Sequence, residues 1–254
     1  MPMKSRFPAS LRVIGRSFVD WWDSWVDLVM MMLIWVLCVV TVVLAAPATF
    51  GVYHVIHEMQ NGTSLGLRGM FDGARKYFWK AILWGVMFVL SLVLMYVNYI
   101  FYGSIEAAWA FGVQVLVLLI FALWLSANFY GLPYFMIMEQ PSLRRALKNG
   151  ALTSLAAPFY TLILMVFVAV LSLLSFGFVI PVFLGVPALV PILGFRAMYD
   201  RLEAFGLRER EKTPRELELE EAGKTKVSGL NWVPGQGATG SRIPNHEGQV
   251  EQEE

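Results

Sequence analysis

Charge is scarce in this chain and unevenly placed. Only 15% of the 254 residues carry one, against roughly a quarter in soluble domains. Of the 39 charged side chains, 13 fall between residues 28 and 200. A block of that length with so few charges cannot present a wetted surface, which excludes a soluble enzyme. One cysteine, Cys38, excludes a disulfide framework. A net charge of +1 leaves no cationic surplus for phosphates, so nucleic acid is not an expected partner. No glycine loop suited to phosphate, no nucleophile elbow and no catalytic pair occurs, so the expectation is a protein that is not an enzyme and holds no cofactor.

What the sequence has instead is long apolar runs. Crossing a roughly 30 Å hydrocarbon core takes about 20 apolar residues in a helix. Leu28 to Ala46, Ala81 to Phe101 and Ala107 to Met138 are uncharged runs of about that length or more. From Asn149 to Phe195 no charge occurs, enough for two spans broken near Ser175-Phe-Gly177, with Phe178 opening the fifth. Trp21, Trp22, Trp25, Tyr77, Trp79, Tyr99, Tyr102, Tyr130, Tyr134 and Tyr199 stand where an interfacial belt needs them. The expected fold is all-α: a polytopic membrane helix bundle with five transmembrane helices in the cell inner membrane, the lipid bilayer its main partner. Residues 1–27 precede the bundle, 28–202 form it, and 203–254 are a charged, largely disordered tail. Ala46-Pro47-Ala48 looks like a leader cleavage site, but the run before it starts too late and comes after Asp20, Asp23 and Asp27, so it is expected to stay.

Residues 10–27 are amphipathic at helical spacing. Arg12, Arg16, Asp20, Asp23 and Asp27 share one face; Leu11, Ile14, Phe18, Trp21, Trp22 and Trp25 fill the other. Such a helix lies in the membrane interface or packs on the protein's own surface. Leu67, Phe71, Ala74 and Phe78 form a second apolar face. A basic amphipathic run, a span, a near-neutral hairpin and a span occur over residues 64–138, and again over 142–200. Both copies enter from one side, as a coarse parallel repeat.

Lys and Arg mark cytoplasmic loops, which places the C-terminus inside. Five crossings then put the N-terminus outside, although it holds Lys4, Arg6, Arg12 and Arg16. The conflict disappears if Pro47 to Gln60 turns back as a short re-entrant helix, with Pro47 in its first turn and Gly62 at its exit. That arrangement is favoured over five plain crossings.

Candidate site residues are few. His54-x-x-His57-Glu58 has metal-ligand residue types, but the spacing departs from zinc-protease patterns and no third ligand suggests itself, so no metal is expected. Asn98, Gln114 and Asn128 are amides within spans. They line a polar pocket in the alternative reading, a stand-alone small-molecule or lipid transporter; otherwise they join helices. No ionisable residue lies deep in a run, which disfavours proton-coupled transport. Pro181, Gly185, Pro187, Pro191 and Gly194 are expected to kink the last helix. Arg68, Arg75, Lys76, Arg144, Arg145 and Lys148 are where a partner or anionic lipid would dock, although cations that only set topology would look the same.

Pro47-Ala48-Thr49, then Tyr53, Gly62, Phe71, Phe78 and Ala81, resembles the YesL family of bacterial membrane proteins. Tyr130-Gly-Leu-Pro133, Ser142-Leu143 and Leu147-Lys148-Asn149-Gly150-Ala151 extend the resemblance over roughly residues 15–205, with Gly150 departing from the pattern. It implies no established activity. It does imply an association with carbohydrate utilisation, so that subunits of a carbohydrate transporter are the implied partners.

Overall fold

The computed structural model describes residues 9–63, 65–177 and 185–207. The chain divides into a unit Met1–Arg208 and a unit Glu209–Glu254; the second, with nearly all of the tail, lies outside the described residues. All regular structure among the described residues is helical. In order it is α1 (Ala9–Asp23), α2 (Trp25–Val40), α3 (Ala45–Gln60), α4 (Gly66–Lys76), α5 (Phe78–Gly103), α6 (Ala108–Ile137), α7 (Leu143–Ala156) and α8 (Pro158–Gly177). A 3₁₀ turn (Val186–Ala188) then leads into α9 (Leu189–Ala204).

Among the described residues three helices are long and apolar enough to cross a membrane: α5, α6 and, within α8, Pro158–Ser175. Helices α1 and α2, bent by 88° at Ser24, make a fourth if counted as one span. The described residues thus give three or four of the five expected spans. The run Leu28–Ala46 does not stay one helix. Pro47 cannot donate to the Val43 carbonyl and its ring would crowd it. Accordingly α2 stops at Val40, the chain turns through Val42 at φ 60°, and α3 starts at Ala45 with Pro47 in its first turn. The expected fifth span opens on residues 178–184, outside the described residues, as is Pro181. The helix beyond them is the short α9, which from Arg196 on carries Arg196, Asp200, Arg201 and Glu203.

Helices α2 and α3 form a hairpin. The Trp35 indole N–H donates to Thr49 Oγ1 at 3.1 Å, and the Thr49 hydroxyl donates to the Ala45 carbonyl at 2.8 Å. Near the other end of the pair, Asp27 and Gln60 border one cavity. A Cβ on Gly85 would meet Ala46 Cβ at 2.8 Å, and Trp84 meets Phe50 edge-on. The hairpin turn is thus level with the first third of α5, which runs on for about 18 residues, or about 27 Å, beyond it. The α2–α3 hairpin thus turns back well short of the far end of α5.

Helix α3 is the core. Pro47, Ala48, Phe50, Gly51, Val52, Tyr53, Val55 and Ile56 are buried among α2, α4, α5, α6 and α9. Glycines allow the closest approaches: Gly51 sits directly on the Met70 carbonyl, and a Cβ on Gly73 would reach His54 Cβ at 2.6 Å. The packed side of α4 is therefore Gly69, Met70 and Gly73. The face expected from Leu67, Phe71, Ala74 and Phe78 is not the packed one, and Phe71 is exposed. Small residues win because lipid is as apolar as any side chain, so close backbone contact decides which surface packs. Gly150, on α7, likewise lies on the Ala127 carbonyl and on Gly131 of α6. Its departure from the resembled pattern has that steric reason.

Candidate functional site

Among the described residues a concavity lies at the α1–α2 elbow. Its volume is about 350 Å³, and Asp20, Asp23, Ser24 and Asp27 line one wall. Facing them are Ile56, Met59, Gln60, Gly62 and Thr63 from the end of α3, and Ile192 and Arg196 from α9. Each helix supplies its residues for a local reason. Helix α1 buries Val13, Ser17 and Trp21 and packs on α8 and α9, leaving Leu11, Phe18 and Trp22 exposed. Of the two expected settings for this helix, packing on the protein is the one seen, through its Val13, Ser17 and Trp21 face. The Trp21 indole donates to the Gly185 carbonyl at 3.1 Å. Arg196 grips Asp20 through two bonds, Nε to Oδ2 at 2.6 Å and Nη2 to Oδ1 at 3.0 Å, joining residues 176 apart in sequence. The elbow places Asp23 and Asp27 along the same cavity as the end of α3.

His54 and His57 lie on α3, outside the candidate spans. His57 stacks on Phe195 (5.6 Å between centroids, 16° between planes), and His54 meets Tyr77 edge-on. Burial, reinforced by the Lys76 ammonium, pulls the His54 imidazole below its ordinary value; burial does the same for His57. Among the described residues no group of three or more His, Cys, Asp or Glu side chains is placed to hold a metal ion.

The three span amides are not brought together. Asn98 Nδ2 donates to the Leu94 carbonyl of its own helix, and Gln114 Nε2 donates to the Tyr99 carbonyl, closing the α5–α6 hairpin. Asn128 stands about 21 Å further along α6. It accepts from the Trp84 indole at 2.8 Å and donates to the Trp124 carbonyl at 2.7 Å. Each amide bonds within its own helix or hairpin, and Asn128 stands too far from Asn98 and Gln114 to line one pocket with them.

The six cations do share an end. Helix α4 leads into α5, and α6 leads into α7. Lys80 Nζ donates to the Pro141 carbonyl at 2.9 Å, tying the two corners together. Arg68, Arg75, Lys76, Arg144, Arg145 and Lys148 are all exposed there. Of the other singled-out residues, Pro47, Ala48, Tyr53 and Pro133 are buried, Thr49 caps the α2–α3 contact, and the Asn149 carbonyl accepts from Thr153. Pro133 packs beside Gly194.

Sequence pattern does not reveal the elbow cavity. Asp20, Asp23 and Asp27 are visible as a polar stripe, but Gln60 and Arg196 join them only through tertiary contacts. The one local signal is three acids just before an apolar run, where a basic flank is commoner.

One family model matches, described as "Protein of unknown function, DUF624", over residues 28–99, which spans α2 without its first turn, α3, α4 and most of α5. No curated protein and no solved structure matches the chain.

Proposed function

We propose that the chain is a non-catalytic integral protein of the bacterial inner membrane, of YesL type, acting as an accessory to carbohydrate uptake. The observation that carries this reading is the cluster of six exposed cations on α4 and α7, gathered at one end of a bundle whose spans are almost free of charge. The positive-inside bias favours a cytoplasmic setting for that end, as it does for the basic residues from Arg196 onward in the sequence. The YesL resemblance supplies the carbohydrate context, and the family match over residues 28–99 is compatible with it. The chain has no ATP-binding motif, so energy for an importer would come from partner chains.

The test is affinity purification of the tagged full chain from native membranes, read by mass spectrometry. Transporter subunits should be recovered with the wild type and lost when Arg144, Arg145 and Lys148 are all changed to Glu. Recovery of no transporter subunit by the wild type refutes the accessory role. Recovery unchanged by the charge reversal refutes the basic end as the contact.

A further inference from the structure

The apolar strip of α4 is not its packed face. At about 100° of turn per residue the helix divides lengthwise into three strips. Gly69, Met70 and Gly73 form the first and are buried, with Met70 and Gly73 pressed on α3. Leu67, Phe71 and Ala74 form the second, within about 60° of one another. Leu67 and Ala74 are half-buried, and the Phe71 ring is 56% exposed. Arg68, Asp72, Arg75 and Lys76 form the third, and all four are exposed. Arg75 and Arg68 stand on the edge next to Phe71, while Asp72 and Lys76 lie further round. A helix standing in water has no use for the middle strip. Three strips side by side suit a helix laid along a membrane surface, with protein on one side, acyl chains on the next and headgroups on the third.

What lies next to the strip points to the same occupant. Backbone bonds carry the chain through Tyr77 into α5: its N–H donates to the Gly73 carbonyl at 3.1 Å, and its carbonyl accepts from Ala81 at 2.8 Å. The strip therefore ends where a candidate span begins. Trp79, in the first turn of that span, is 80% exposed, the side chain most favoured at headgroup level. Leu83 and Val86 continue the bare surface up α5. Three cations against one acid give α4 the sign that attracts anionic headgroups. A folded protein partner fits less well, because one exposed ring flanked by two half-buried side chains falls far short of the roughly 800 Å² per partner of a stable interface.

We propose that Leu67, Phe71 and Ala74 seat α4 in the anionic phospholipid surface where α5 enters the membrane, with Arg68 and Arg75 on the lipid phosphates. Lipid along α4 leaves Arg144, Arg145 and Lys148 of α7 for a partner chain. The inference thus does not rest on the accessory reading, and each can fail alone.

The full chain carrying Cys38→Ser is spin-labelled at Phe71→Cys or, as the water-facing control, at Asp72→Cys. It is reconstituted in phosphatidylcholine vesicles with or without phosphatidylglycerol. Oxygen, which concentrates in lipid, should relax the label at position 71 more than a water-soluble nickel complex does, and the order should reverse at position 72. Phosphatidylglycerol should raise the oxygen-to-nickel ratio at position 71 by about twofold or more. That rise should vanish at high salt and in Arg68→Gln, Arg75→Gln, and persist in Arg68→Lys, Arg75→Lys. The salt dependence is read on the chain with both arginines intact, so it decides the matter even if an arginine variant folds poorly. The same ratio at positions 71 and 72, a label at position 71 that neither reagent reaches because protein covers it, or a ratio indifferent to phosphatidylglycerol overturns the proposal.

Discussion

Helix α6 is apolar from end to end, yet its two halves have opposite surroundings. From Ser126 to Met136 every residue is buried, whereas Phe111, Leu116, Leu119 and Ile120 are all more than half exposed. The buried half includes Ser126, Asn128, Gly131 and Pro133; the exposed half is mainly leucine, valine and phenylalanine. In water the apolar half would be the core. Here it is the reverse, because a leucine gains nothing by leaving lipid for protein, while small and hydrogen-bonding residues gain close packing and satisfied polar groups. The same contrast separates α3, short and surrounded, from the far part of α5, long and bare.

The widest gap between the halves should appear at glycine. Gly150→Leu would force a side chain into the Ala127 carbonyl and Gly131, and we expect destabilisation of about 3 kcal/mol in detergent unfolding. Melting within a degree or so of wild type would mean that α6 and α7 are not pressed together. Next in size, Asp20→Asn removes one partner of the two-bond contact with Arg196 and should cost about 1–2 kcal/mol. A double-mutant cycle with Arg196→Leu should show coupling between the two sites. Asn128→Leu breaks the bond to Trp84 and should lose roughly 0.5–1 kcal/mol, readable as reduced α5–α6 association in denaturant.

Acid should act on α3 and spare the exposed half. The folded-state values of His54 and His57 lie below the ordinary 6.5, so the fold favours neutral imidazole. That contribution is complete above about pH 6.5 and fades as pH falls through the lowered values. Melting temperature should drop as pH falls below about 6.5, and a His54→Gln, His57→Gln variant should show a flatter profile. An equal slope in the variant would assign the pH dependence elsewhere. Smallest of all, Leu119→Ala on the bare half of α6 should change stability by less than about 0.5 kcal/mol.

Much of the fold is legible in the sequence. The helical class, the α5 and α6 spans, Pro47 in a first turn and the return of the chain after it all come from charge gaps and proline chemistry. The packed face of α4 is not, because periodicity finds the apolar side, while Gly69 and Gly73 define the packed one. Gly66-x-x-Gly69-x-x-x-Gly73 is the signal that marks it. The span amides give no spatial information, since an asparagine bonded to its own helix reads the same as one lining a pocket. The elbow cavity is out of reach, because Arg196 meets Asp20 from 176 residues away.

The sequence alone determined that this protein is membranous and helical, because hydrocarbon tolerates neither charge nor unpaired backbone, and both constraints are written in composition and run length. Only the tertiary structure decided which apolar surface is core and which faces lipid, and which acids gather around one cavity. Lipid removes the hydrophobic difference that would have marked the core, so contact between small residues and distant polar partners had to make that choice.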